Sequence, residues 1–147
     1  MGYIPLGDEQ TWVIFAGESQ SNLASLEGSE QQQILTKLLQ IAESDANPTA
    51  FRYEQIKNVD IIAVGDQIRL YTKIVDGIPS GNAEYHLIYL FYIDDDHEYE
   101  ADTMSTYALE SQTALDTATS LETVGDIESY LSEMQALDAD ALGDLLP

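Results

Sequence analysis

Five cations stand in a chain of 147 residues, and two of them share a single short run with a tyrosine: Arg69, Tyr71 and Lys73. At a spacing of two, strand residues share a face. Gln67, Arg69, Tyr71 and Lys73 would therefore point one way, and Ile68, Leu70 and Ile74 the other, giving a polar face and a core face. Arg52 and Lys57 lie on neighbouring segments. Guanidinium and ammonium groups gathered this way stabilise charge developing on a phosphate, so the set reads as a phosphate-facing patch. The competing reading is that these few cations pair with abundant carboxylates at the surface, each pair contributing no more than about 1 kcal/mol.

Asp94-Asp95-Asp96-His97-Glu98-Tyr99-Glu100 offers the carboxylate oxygens that hard cations want. Counted as a calcium loop from Asp94, it puts Tyr99 where the sixth position needs glycine and Ser105 where the twelfth needs glutamate. It reads as a solvated acidic strand exit, with a weak Ca²⁺ or Mg²⁺ site as the alternative. His86 and His97 are isolated, so no zinc pair is spaced for ligation. Ser19 and Ser21 sit outside any nucleophile-elbow pattern, and Gly77 and Gly81 flank a proline-containing loop rather than a phosphate cradle. No metal and no cofactor is implied. Of nine tyrosines, Tyr85, Tyr89, Tyr92, Tyr99 and Tyr107 cluster around one apolar run, which sheet packing explains better than base stacking.

The elements that must position these groups belong to a chain with 27 Asp+Glu, a net charge of −22 and no cysteine. Disulfide frameworks and thiolate metal sites are excluded. Leu, Ile, Val and Phe supply 38 residues, enough apolar surface for an acidic chain to collapse around a core. The charge is uneven: residues 1–93 hold 12 acids and all 5 cations, whereas residues 94–147 hold 15 acids and no cation. Such a surface repels phosphate backbones at ordinary ionic strength. It suits a salt-rich cytoplasm, where the Debye length shrinks to about 3 Å at 1 M, or imitation of a polyanion. No apolar run of about 18 residues and no basic n-region before an apolar stretch is present, so the expected location is cytoplasmic, without a membrane.

Residues 11–16 read as a buried strand, followed by a short helix over 21–27 that stops at Gly28. Ser29 and Gln32 fit a capping box opening a helix over 30–44, with Ile34, Leu35, Leu38, Leu39 and Ile41 on one face. Asn47-Pro48 ends it. The period then changes to two, predicting strands over 51–56, 59–64, 67–75 and 84–93, joined by short connections and therefore antiparallel. The last is apolar on both faces, as a central strand would be. Its second face needs a cover, for which the candidates are a helix over 104–118 and another opened by Thr123, carrying Val124, Ile127, Leu131 and Met134. The expected class is α+β: an N-terminal strand and helical pair packed on a small antiparallel sheet (residues 1–100), with an acidic helical extension (101–147) packing on it or on a partner.

Three pieces carry a family resemblance: Trp12-Val13-Ile14-Phe15 followed by a helix, the leucine-bearing helix 30–44, and Val64-Gly65-Asp66-Gln67-Ile68-Arg69-Leu70-Tyr71. With the last strand leading to His97-Glu98-Tyr99, residues 11–99 resemble the RelE/ParE superfamily of bacterial and archaeal toxins. The resemblance implies ribosome-dependent messenger-RNA cleavage or gyrase poisoning, with a cognate antitoxin as partner and the ribosome and its message as substrate. A metal-independent endoribonuclease of that kind uses cations to stabilise the scissile phosphate and a basic group or tyrosine to assist the attacking 2′-OH. Arg69 matches the strand arginine and Tyr99 the terminal tyrosine. The candidate catalytic residues are accordingly Arg69, Tyr99 and Lys73, and the candidate substrate-binding residues Arg52, Lys57 and Tyr71. Against that pattern, Asp94-Asp95-Asp96 stands where the family carries a basic residue, and Lys37 is the single cation of helix 30–44. The −15 concentrated in residues 94–147 motivates the second expectation, an acidic nucleic-acid mimic or antitoxin-like inhibitor that uses this segment to occupy a basic cleft.

Overall fold

The apolar run at 12–15 becomes strand β1 (Gln10–Phe15) in the computed structural model, which describes residues 10–44, 47–78, 85–95 and 101–146. Ala16 and Glu18 return to the sheet through N–H bonds to the carbonyls of Leu90 and Phe91, at 2.8 and 3.0 Å. Between them Gly17 turns the chain at φ +54°, where a Cβ would stand 2.8 Å from the Phe91 carbonyl oxygen. Helices α1 (Ser19–Ser25) and α2 (Gly28–Glu43) follow. Gly28 begins α2 rather than stopping α1, and the cap differs from the expected Ser29/Gln32 pair. Glu27 is the N-cap, and its N–H donates to the Glu30 side chain at 3.4 Å. Glu27 and Glu30 stand at the same spacing of three, and a carboxylate accepts amide hydrogens in a first turn as well as serine does.

A 3₁₀ turn (Pro48–Phe51), capped by Asn47, leads into the hairpin β2 (Glu54–Ile56) and β3 (Val59–Val64), then β4 (Ile68–Ile78) and β5 (Tyr85–Asp94). The strand order is β1-β5-β4-β3-β2. Strands β2 to β5 are antiparallel neighbours, as expected, but β1 joins β5 in parallel, so the sheet is mixed. The helical pair between β1 and β2 makes this arrangement accessible, because it carries the chain across the sheet before the antiparallel run begins. Part of the proline-containing loop, residues 79–84, lies outside the described residues.

Two apolar clusters flank the sheet. Val13, Ile62, Leu70, Ile74, Ile88 and Leu90 meet Ile34, Leu38 and Ile41 of α2, with Leu142 of α5 (Ala139–Leu145). On the opposite face, Ile14, Ile61, Tyr71, Leu87, Tyr89 and Phe91 meet Met104, Tyr107 and Ala114 of α3 (Ala101–Thr119) and Ile127 and Leu131 of α4 (Val124–Glu133). The chain is thus α+β, and β5 is buried on both faces because helices cover each side. Thr123 opens α4 as expected: its Oγ1 accepts from the Asp126 N–H at 3.0 Å, and Asp126 Oδ2 from the Thr123 N–H at 3.2 Å. Met134, read as part of the α4 stripe, is instead 38% exposed at the helix end.

Candidate functional site

Asp60 is the polar centre of the cation-bearing half. It stands in β3 between Val59 and Ile61, only 2% exposed. Its Oδ1 accepts from Arg52 Nη1 at 3.1 Å and from Gln55 Nε2 at 2.9 Å. Its Oδ2 accepts from the Ile74 N–H at 2.9 Å and lies 3.9 Å from Lys73 Nζ. The β3–β4 ladder ends at the Asp60–Thr72 pair while β4 runs on to Ile78, so the Asp60 carboxylate takes a backbone donor that the ladder no longer reaches. Thr72 Oγ1 closes the arrangement on the Asp60 carbonyl at 2.6 Å. Arg52 and Lys73 are brought together, but around an acid that neutralises them.

Arg69 is elsewhere. It is 5% exposed, and its Nη1 donates to the carbonyls of Ile68 and Gly65 at 2.9 and 3.2 Å. Its guanidinium carbon stands 4.8 Å from the Tyr53 ring centroid. Tyr71 is fully buried, and its hydroxyl donates to Asp94 Oδ2 at 2.8 Å. Lys57 donates through Nζ to Ser105 Oγ of α3 at 2.8 Å, and Lys37 lies 5.6 Å from the Phe51 ring centroid. Tyr99 lies outside the described residues. The side chains alternate along β4 as the spacing indicated, but the face read as polar is a covered one. α3 packs across it, and Tyr71 contacts the rings of Tyr92 and Tyr107, with centroids 5.2 and 6.4 Å away.

A bulge in β5 builds that aromatic layer. Tyr71 pairs with Tyr92 but Thr72 with Leu90, leaving Phe91 as the extra residue. Phe91 and Tyr92 consequently both contact Tyr107, with centroids 6.0 and 5.5 Å apart. Burial, then the neighbouring carboxylate of Glu18, pushes the Tyr107 phenol up to about 12. Burial raises the Tyr89 phenol further, aided by its 2.7 Å hydrogen bond with the Tyr130 hydroxyl. Glu110, on the next turn of α3, is also held above its ordinary range, by burial first and Glu18 second.

Comparison with protein families, with curated proteins and with solved structures gives no match. The site therefore rests on its own chemistry. Among the described residues the two ion pairs both end on Asp60. Helices α3 to α5 and their connections carry ten carboxylates and no cation. Of these, Asp102, Asp116, Glu122, Asp126, Glu128, Glu133, Asp140 and Asp144 are exposed. α3 and α4 turn apolar residues to one face of the sheet and α5 turns Leu142 to the other, while these carboxylates face outward.

Sequence reasoning missed two features. Asp60 as a buried hub had a signal: one carboxylate inside Val59-Asp60-Ile61-Ile62-Ala63-Val64 must find partners or pay heavily for burial. The other is a groove of about 380 Å³ between α1, the end of β1, the α4–α5 connection and α5. Helix α5 was not expected, although Asp138 caps it by accepting from the Ala141 N–H at 2.9 Å.

Proposed function

We propose that this protein is a non-catalytic binding module whose acidic helices α3 and α4, together on one side of the sheet, engage a basic surface on a protein partner in the manner of a polyanion. The observation that carries this reading is the partition of charge. The described cations are engaged by Asp60, backbone carbonyls, a serine and aromatic rings, while the carboxylates of α3 to α5 have no cationic partner among the described residues. A buried Arg69 and a neutralised Lys73 are poorly placed to stabilise a scissile phosphate. A cytoplasmic location goes with this proposal; no described helix is long and apolar enough to cross a membrane.

The test is fluorescence anisotropy with a labelled Lys/Arg-rich peptide that lacks apolar residues. The double variant Glu128→Gln/Glu133→Gln should weaken binding at least fivefold. The charge-matched variant Glu43→Gln/Asp66→Asn should change it less than twofold. Equal losses from the two variants would reduce the effect to net charge and remove the acidic face as a binding surface.

A second reading keeps the toxin-superfamily kinship. It is supported by the order β1, α1, α2, then an antiparallel run from β2 to β5. In that reading the chain is a homologue of an RNA-cleaving or gyrase-targeting toxin, with its cognate antitoxin as partner. Growth arrest on expression in a salt-matched host, relieved by Arg69→Ala, would favour this reading over the first. Folded protein without any growth effect would leave the binding module standing.

A further inference from the structure

Among the described residues, two of the four exposed large apolar side chains, Met134 (38% exposed) and Leu145 (51%), face the same groove. Its floor is completed by Phe15, Leu23 and Leu137, and Gln135 stands at its rim. The groove exists because α4 ends in a turn that sends the chain back to the edge of the sheet. The Ala136 N–H bonds to the Leu131 carbonyl at 3.0 Å and the Gln135 N–H to that of Ser132 at 3.2 Å, a pairing that needs a left-handed residue between them. Gln135 fills that place at φ 54°, where glycine is the ordinary choice. Leu137 then pairs with Val13 of the β1 edge, N–H to carbonyl in both directions at 2.8 Å. An apolar floor is thereby held open between a sheet edge and two helices.

From this arrangement, and resting on the binding function proposed above, we infer that the groove seats the apolar side chains of a basic amphipathic peptide segment on the partner. Charge selects that occupant. Exposed Glu133 and Asp144 stand beside Met134 and Leu145 in the sequence, and exposed Glu27 follows the α1 helix that forms one wall. A second copy of this chain brings a further −22 to the contact and is opposed by it. The volume accommodates about two large side chains, the size at which helix-in-groove recognition places its anchors. The groove thus supplies the selectivity that a purely acidic face lacks: cations draw the segment in, and its leucine or phenylalanine anchors decide whether it stays.

The experiment uses the full chain with methyl-labelled methionine and two synthetic peptides of equal positive charge, one with leucine and phenylalanine anchors at helical spacing and one with serine in their places. The chain has three methionines, and Met104 of α3 is buried against the sheet, so it serves as an internal reference. The anchored peptide should shift the Met134 resonance and leave Met104 in place, and it should bind at least tenfold more tightly than the serine peptide. Met134→Gln/Leu145→Asn should remove that advantage, whereas Leu109→Asn, 74% exposed on α3, should not. Equal affinity for the two peptides, with no Met134 shift, would overturn the groove assignment and leave the acidic-face proposal intact. Binding of neither peptide would overturn both. A Met134 shift that grows with protein concentration alone would assign the groove to self-association and overturn the inference.

Discussion

Asp60 Oδ1 accepts a hydrogen bond from Arg52 Nη1 at 3.1 Å while Lys73 Nζ stands 3.9 Å from Oδ2, so one buried carboxylate holds two of the chain's five cations. Removing it should be costly from both sides. Asp60→Ala strands Lys73, whose side chain is 11% exposed, and leaves the Ile74 N–H without its acceptor. A loss of about 3–5 kcal/mol is expected. Arg52→Ala should cost only about 1 kcal/mol, because Arg52 is 37% exposed and Gln55 still donates to Oδ1. Urea denaturation of the two variants checks the contrast; similar midpoints would mean that Asp60 is not the hub.

Two left-handed residues should respond oppositely to substitution. Gly17→Ala adds a Cβ 2.8 Å from the Phe91 carbonyl and 3.2 Å from the Tyr107 ring, at φ +54°, and should destabilise by about 1–3 kcal/mol. Gln135→Gly relieves a strained turn and should stabilise by about 1 kcal/mol. Thermal melts followed by circular dichroism measure both.

How legible these features were depended on how local they are. The Thr123 capping box, the two-faced apolarity of β5 and the helical face of α2 are set within a few residues, and each emerged from the sequence. The parallel seat of β1 beside β5 depends on contacts about 75 residues apart, which periodicity does not report. The same holds for the cations. Alternation separates Tyr71 and Val75 from Ile68, Leu70 and Ile74 as the spacing indicated, but only the docking of α3 shows that the side of Tyr71 is covered. Lys73 turns to Asp60 across a strand pair, and Phe91 and Tyr92 share a face because of a bulge that no residue type announces. Helix α5 escaped because seven residues with one fully buried anchor, Leu142, leave almost no periodic signal.

Acid and alkali should act through α3. Glu110 is held above its ordinary value of 4.5, by burial and then by Glu18, so its contribution is complete below that value and lost as pH rises through the raised one. Glu110→Gln should therefore raise the melting temperature at pH 7 and change it little at pH 4. Tyr107 keeps its proton up to about 12 in the folded chain against about 10 unfolded. The unfolded state binds fewer protons across that window, so stability should fall as pH rises through it, and Tyr107→Phe should flatten that limb. Melts at stepped pH resolve the two effects.

Salt should stabilise the fold. With a net charge of −22 and two described ion pairs, self-repulsion among surface carboxylates is long-ranged at low ionic strength. Raising KCl from about 0.1 M to 1 M shortens the Debye length from about 10 Å to about 3 Å. The melting temperature should climb across that range. A flat profile would argue against salt adaptation of the surface.

On the proposed reading, the chain presents a polyanion-like face and does not itself bind phosphates. A displacement titration tests it most directly: a labelled RNA oligonucleotide is first bound to a Lys/Arg-rich peptide, and the chain is added while anisotropy is followed. Anisotropy should fall to that of free RNA as the chain takes the peptide, and Glu128→Gln/Glu133→Gln should weaken the displacement. Anisotropy that holds or rises because the RNA transfers to the chain would contradict it.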